Sequence, residues 1–322
     1  MPDSKPPPSL IGPAEATAAQ QRIAGWLHRT PLLSARTLGE LAGVRLQLKA
    51  ELFQRTGSFK PRGVFNKLLT LPPAELARGL VSLSAGNHAA ALAYGASALG
   101  TRATVVMPAT ALALKVRATE SYGGEVVLTA GNLLEVCQQI EHERKLTMVH
   151  PFDDPAIIAG QATVGLEIVA DSPDLDAVVI PVGGGGLISG VAAAVKASHP
   201  HVRVIGVEPR GADAMTRSLV EGRPVHLDSV DTIADGLAPP FAGEHTLRHV
   251  QAYVDDVVLV DDDEIAHALR LVMQRSKLAA EPSGVAGVAA LLSGAATVPA
   301  RARVVAVISG GNADPQLLKK LL

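Results

Sequence analysis

Apolar and polar positions along the chain fall into two series of alternating strand-like and helix-like segments. From Gly79 the order is Leu80-Val81-Ser82-Leu83, helix-like Asn87 to Leu99, a strand Ala103 to Met107, helix-like Ala111 to Tyr122, a strand Glu125 to Leu128 and helix-like Leu133 to Lys145. Thr147-Met148-Val149 follows, and His150-Pro151 stops the series. A second series begins with the strand Asp176 to Ile180, continues through helix-like Leu187 to Ala197, and returns as the strand Val202 to Val207. It resumes at a strand Asp256 to Val260, helix-like runs Asp263 to Arg275 and Ser283 to Leu292, and a closing strand Arg303 to Ile308. Such βα repetition predicts parallel sheets in two α/β lobes with a cleft between them. Near the start, helix-like Ala14 to Leu27 precedes an alternating strand, Val44 to Lys49, which has no partner nearby in sequence and is expected in the larger, C-terminal sheet.

Val81 to Thr101 and Ala177 to Val195 are uncharged and approach the length of a membrane helix. Polar Ser82, Ser84, Asn87, His88 and Ser97 interrupt the first, and Pro181 with four glycines breaks the second. Each resolves into strand, tight loop and helix. With 48% hydrophobic and 19% charged residues and a formal charge of -2, the 322-residue chain is globular and long enough for about two domains. The near-balance of charge supplies no cationic field for nucleic acid or anionic lipid, and 3% aromatics leave few rings for base stacking. Neither partner is expected; a small-molecule enzyme is. The single cysteine, Cys137, excludes an internal disulfide and multi-cysteine metal sites, and its helical flanks make it buried filler. Met1 to Pro13 holds five prolines and no apolar run, so it reads as a flexible tail and not a signal peptide, which implies a cytoplasmic location.

In open α/β sheets ligands bind beyond the carboxyl ends of the strands, and four loops there stand out. Gly183-Gly184-Gly185-Gly186-Leu187 leaves a strand and enters a helix, so its bare N–H groups and the positive helix end suit a phosphate. It matches neither the dinucleotide fingerprint, because Ile188 and Ser189 occupy the sixth positions, nor a P-loop, and a simple packing turn needs fewer glycines. Ser309-Gly310-Gly311-Asn312 places a hydroxyl at another strand end, although such a turn is also a common strand exit. Ser84-Ala85-Gly86-Asn87-His88 aims several polar side chains and N–H groups at one point, as a carboxylate site would, where helix capping would need only one. Thr56 to Gly63 sets Lys60 between an aromatic and a proline at a loop-to-helix boundary. A lysine is ordinarily a solvated charge, but in a partly apolar cleft it becomes a nucleophile able to form a Schiff base.

In this order, these loops resemble the serine/threonine dehydratase and serine racemase family of pyridoxal-phosphate enzymes. The likeness also takes in Gln54-Arg55, His150-Pro151-Phe152-Asp153-Asp154, Ala159-Gly160-Gln161, Gly206-Val207-Glu208-Pro209, Thr232-Ile233-Ala234-Asp235-Gly236 and Glu281-Pro282, so it spans most of the chain. The resemblance implies the tryptophan-synthase-β fold (fold type II): twisted parallel or mixed sheets with helices on both faces. Residues 1–66 and 151–322 would form the large domain, 67–150 the small one, with pyridoxal 5'-phosphate between them. It implies that Lys60 binds the cofactor as a Schiff base, Phe59 flanks the ring, Asn87 meets the 3-hydroxyl, and Gly183 to Leu187 cradle the phosphate. Ser309 would face the pyridine nitrogen, where a neutral hydroxyl favours prompt β-elimination; Gly236, Gly310 and Glu281 would also border the cofactor, although Glu281 could equally be a helix-start carboxylate. Ser84, Ala85, Gly86, Asn87 and His88 would hold the carboxylate of a β-hydroxy amino acid. Lys60 would take the α-proton and the β-hydroxyl would leave, protonated through the cofactor phosphate, giving a 2-oxo acid and ammonia.

Departures from the family pattern sharpen the expectation. Serine racemases carry a second serine where this chain has Ala85, so the opposite face lacks an acid and elimination is favoured; Phe152 points the same way, since racemases tend to have asparagine there. Glu208 has Ala214 where metal-dependent relatives place a second carboxylate, with Asp213 adjacent, so no divalent metal is expected to be required. Val64 and Ala162 could reshape the substrate pocket, leaving threonine and serine as the default substrates and 3-hydroxyaspartate or a bulkier 3-hydroxy amino acid as alternatives. The chain ends at Leu322, so no regulatory domain, and no feedback through one, is expected; nucleotide activation stays open. A homodimer is expected by resemblance alone. Competing readings are racemisation, a nicotinamide oxidoreductase using Glu208, which leaves Lys60 and Ser309 unexplained, and a ligand-sensing module without chemistry.

Overall fold

The structure is a computed structural model that describes residues 9–321. Its strands are β1 (Leu32–Ser34), β2 (Arg45–Ala50), β3 (Leu80–Leu83), β4 (Ala103–Pro108), β5 (Glu125–Thr129), β6 (Thr147–Met148), β7 (Ala177–Pro181), β8 (Arg203–Pro209), β9 (Asp256–Val260) and β10 (Arg303–Ile308). They build two sheets, in the orders β1-β2-β10-β7-β8-β9 and β5-β4-β3-β6. Every neighbouring pair is parallel except β1 with β2. Parallel strands covered on both faces need unbroken apolar runs, and β7 is buried at all five positions.

The helices are α1 (Pro13–Ile23), α2 (Arg36–Leu41), α3 (Lys60–Thr70), α4 (Pro73–Arg78), α5 (Asn87–Ala98), α6 (Ala113–Ser121) and α7 (Leu133–Arg144). After them come α8 (Pro155–Asp171), α9 (Gly186–Ser198), α10 (Ala214–Glu221), α11 (Glu244–Tyr253), α12 (Asp262–Leu271), α13 (Ala286–Ser293) and α14 (Pro315–Leu321). None is long and apolar enough among the described residues to cross a membrane.

Several expectations need correction. The strand near 44–49 does join the larger sheet beside β10, yet it also has a near neighbour in sequence, the antiparallel β1. Three residues are too few for alternation to reveal such a strand. The helix expected over 14–27 ends at Ile23; that over 263–275 widens into a π-helical turn at Val272–Ser276. Residues 1–8 of the expected flexible tail lie outside the described residues. The rest of that segment is not loose: Ile11 is buried, and its N–H donates to His249 Nε2 at 2.9 Å.

Helix α8, which periodicity does not show, forms the spine. Most of its residues from Ile157 to Ile168 are buried, so it has no polar face to set a 3.6-residue rhythm. Asp154 starts it by accepting from the Ala156 N–H at 2.7 Å, with Pro155 at the first position. Glycines then bring helix backbones together. A Cβ on Gly160 would stand 2.5 Å from Gly63 Cα on α3, and one on Gly190 of α9 would stand 2.5 Å from the Ala162 nitrogen. The Ala-Gly-Gln motif is thus a packing motif. Gly160→Ala is expected to cost roughly 2–3 kcal/mol through overpacking, measured as a lower urea midpoint at unchanged slope.

Candidate active site

Lys60 opens α3 at the end of a loop tied to the β10 exit. Thr56 (φ 60°) and Gly57 (φ 76°) are both left-handed, a conformation a β-branched residue adopts only when its surroundings impose it. The constraint comes from the 309–312 loop: Gly311 N–H donates to Gly57 O (2.9 Å), Phe59 N–H to Ser309 O (3.1 Å), and Asn312 Nδ2 to Thr56 O (2.7 Å). Lys60 Nζ donates to Pro151 O at 2.9 Å and lies 5.2 Å from the Phe59 ring centre. No carboxylate pairs with it, and burial lowers its pKa from 10.5 to about 8. A lysine held in this way has the chemistry to act as a nucleophile or a base.

Across the cleft, α5 begins at Gly86 with no side-chain cap. Ser84 Oγ accepts only from the Gly86 N–H (3.2 Å), and Asn87 faces sideways, its Nδ2 donating to Glu281 Oε1 (2.7 Å) and its Oδ1 accepting from Asn312 Nδ2 (2.8 Å). The first helical N–H groups therefore remain open to an anion, as a carboxylate site requires. His88 departs from expectation. Its ring does not face the loop's focus but is buried, with Nε2 3.0 Å from Ser82 Oγ and 3.3 Å from Val149 O. Burial and the nearby Lys60 charge hold it neutral, so only its backbone N–H is available to a carboxylate.

Gly183 to Leu187 form a bare cradle at the α9 N-terminus. Gly185 has φ 89°, and a Cβ on Gly184 would stand 2.5 Å from Phe152 Cε1. Among the described residues, the N–H groups from Gly183 to Ile188 find no acceptor. Gly236 lies beside Gly183, its own N–H held by Ser283 Oγ at 2.8 Å. Gly310 packs against Glu281 and Asn87, where a side chain would collide. Glu281 stands at the start of the helical turn Pro282–Val285, but its side chain makes no capping bond; burial, with Asp235 nearby, raises its pKa to about 7. Ser309, at the end of β10, is buried with no protein partner for its hydroxyl among the described residues. A desolvated lysine, an uncapped glycine cradle and a free hydroxyl on the residue that binds the Phe59 N–H fit an aldehyde, a phosphate and a ring nitrogen.

Residues 23–310 match the family described as pyridoxal-phosphate dependent enzyme. The chain belongs to that family. It is similar to the L-threonine ammonia-lyase of Thermotoga maritima, 42% identical over 309 residues, covering 94% of this chain and 76% of the relative. The solved maize serine racemase superposes with a TM-score of 0.92 at 37% identity, covering 97% of each chain. The solved T.th. threonine deaminase gives 0.89 at 43% identity, covering 94% of this chain and 99% of the other. The fold is the tryptophan-synthase-β type, and the cofactor is pyridoxal phosphate.

Other parts of the site were not read from sequence. Phe152 packs on the glycine cradle beside His150 (4.7 Å, edge-on) and Phe241 (5.4 Å). Lys115 of α6 pairs with Asp235 across the cleft. Asn312 links the Thr56 turn to Asn87, and only its place in the Ser-Gly-Gly-Asn run signalled it. Glu208 is fully engaged elsewhere: it accepts from the Met215 and Thr216 N–H groups, both at 2.8 Å, and from Thr216 Oγ1 at 2.6 Å, while Asp213 pairs with Arg217.

Because folding depresses the Lys60 pKa, the charged ammonium is penalised in the native state. Native stability is full above the unfolded value of 10.5 and falls as pH drops through about 8. Cofactor-free Lys60→Met should therefore unfold at a higher temperature than the parent at pH 7, with the gap closing by pH 10.5. An equal or lower unfolding temperature at pH 7 would show that the ammonium is well solvated.

Proposed function

We propose that the protein is a pyridoxal-phosphate-dependent ammonia-lyase that converts L-threonine, L-serine or both to the 2-oxo acid and ammonia. The observation carrying this reading is Lys60, a desolvated lysine without a carboxylate partner among the described residues, whose Nζ donates to Pro151 O next to the Phe152 that packs on the glycine cradle, and whose charge acts on His88 at the uncapped start of α5. Bound here, the cofactor supplies an electron sink for the α-carbon. Lys60 holds it covalently, Phe59 flanks it, Asn87, Gly236, Glu281 and Gly310 border it, Gly183 to Leu187 take its phosphate, and Ser309 offers its neutral hydroxyl to the ring nitrogen.

The open N–H groups of Gly86 to His88, with Ser84 and Asn87, orient the substrate carboxylate. Lys60 would need no high pH to accept the α-proton, because burial has already lowered its affinity for a proton. Pro151 O steadies the ammonium so formed. Ala85 leaves no hydroxyl on the opposite face of that carbon, which favours elimination over racemisation. The domain boundaries near residues 66 and 150, a homodimer and a cytoplasmic location complete the reading. Similarity to threonine ammonia-lyase and threonine deaminase supports the substrate class.

The test combines visible absorption with product analysis. Purified protein reconstituted with pyridoxal phosphate should show a yellow band, absent in Lys60→Ala, and release 2-oxobutanoate from L-threonine. A protein that stays colourless loses the cofactor claim for Lys60. D-serine formed from L-serine as fast as keto acid would place racemisation first.

A further inference from the structure

Two residues after Lys60, the same helix carries the most heavily bonded side chain in the protein's interior. Arg62 is 1% exposed. Its Nε and Nη2 donate to Glu51 Oε2 and Oε1 at 2.7 and 2.9 Å; Nη1 and Nη2 donate to Glu167 Oε1 and Oε2 at 2.7 and 2.9 Å. Nη1 also reaches Thr163 Oγ1 at 3.1 Å. Lys49, fully buried on β2, adds bonds to Glu167 Oε2 (2.6 Å) and Thr30 O (2.7 Å). Two cations and two carboxylates, all buried, close a neutral network.

Such a network is not an efficient source of stability, because desolvating four charges offsets much of their attraction. What it supplies is geometry. A guanidinium held by two carboxylates admits one arrangement of the three elements that bear them: Glu51 just after β2, Arg62 on the first turn of α3, and Thr163 and Glu167 on α8. Helix α3 begins with Lys60, and α8 is entered through Pro151, the carbonyl that receives Lys60 Nζ. Lys60 therefore sits on one of the elements that Arg62 locks together, and Pro151 in the loop that runs directly into another.

We infer that Arg62 is a positioning residue that sets Lys60 against Pro151 through the ion network it shares with Glu51, Glu167, Lys49 and Thr163. Arg62 itself does not reach the reacting atoms: residues i and i+2 point to nearly opposite sides of a helix. The titratable groups facing Lys60 are His88 from α5 and His150 from the loop before α8, both held toward the neutral form by burial. Neither supplies a counter-charge, so the state of Lys60 depends on how tightly its surroundings exclude water. The inference rests on Lys60 being the reacting lysine.

The test uses Arg62→Lys, which keeps the charge but loses the fork. In the reconstituted enzyme, kcat should fall about 10- to 100-fold with KM within about twofold, the scale of a misplacement near 1 Å. In cofactor-free protein, acylation of Lys60 by an amine-reactive reagent, followed on its peptide by mass spectrometry, should be half-maximal near pH 8 in the parent. In the variant that midpoint should move toward 10.5 as water reaches the ammonium. A lower unfolding temperature with both kcat and midpoint unchanged would overturn the inference and leave the network a purely structural device. Should Arg62→Lys not fold, Thr163→Val, which removes one neutral acceptor, decides: a change of at least about twofold in kcat with the midpoint moving upward supports positioning, and no change refutes it. The acylation readout needs no cofactor, so a Lys60→Ala protein that stayed yellow would defeat the functional reading alone.

Discussion

The approach of α8 to α3 on one side and α9 on the other is the constraint on which the rest of the molecule depends. At Gly160 and Gly190 the helix backbones are too close to admit even a methyl group. Because interiors deform little, this contact fixes how the start of α3, which bears Lys60, stands to the start of α9, which presents the glycine cradle. Nucleophile and anion site thus belong to one rigid body. A loop-borne lysine facing a loop-borne cradle would leave the two at variable separation.

On that frame the chain carries an electrostatic cost. Lys60 has no carboxylate beside it, Glu281 is buried near Asp235, and the N–H groups of the cradle have no acceptor among the described residues. Each is unfavourable alone, and together they form a surface complementary to an anionic, electrophilic ligand. By contrast, several little-exposed cations outside the site are paired: Lys67 with Asp154, Lys196 with Asp255, Lys49 with Glu167. Charges left uncompensated in a protein able to pair them elsewhere mark a place where stability gives way to binding.

Much of this was legible in the sequence, for physical reasons that also set its limits. Strands β3, β4, β7, β8 and β10 declared themselves because parallel sheets require apolar runs bounded by turns, and the loops beyond β3, β7 and β10 held the glycines and hydroxyls. Helix α8 was silent because a helix buried on nearly every side has no period, and β1 because three residues cannot alternate. Arg62, Glu51 and Glu167 were invisible for a different reason. Far apart in sequence, each reads as an ordinary surface charge, and only the fold brings them to one buried point. Likewise His88 sits in the expected motif, yet the register of α5 turns its ring inward onto Val149 O.

Glu208 shows how far a motif can be trusted. It stands where the family resemblance puts a hard-cation ligand, at the end of β8, with Ala214 where a partner carboxylate would be. Its oxygens accept the N–H groups at the start of α10, the service an N-cap side chain usually performs from within the helix. Burial nonetheless raises its pKa to about 7, because three hydrogen bonds do not fully replace water around a carboxylate. The carboxylate serves the helix it anchors, and three of its roughly four acceptor sites are already taken. A motif transfers its chemistry only when the atoms that perform it remain free, as the Lys60 amine does, and that is settled by the neighbours the fold supplies.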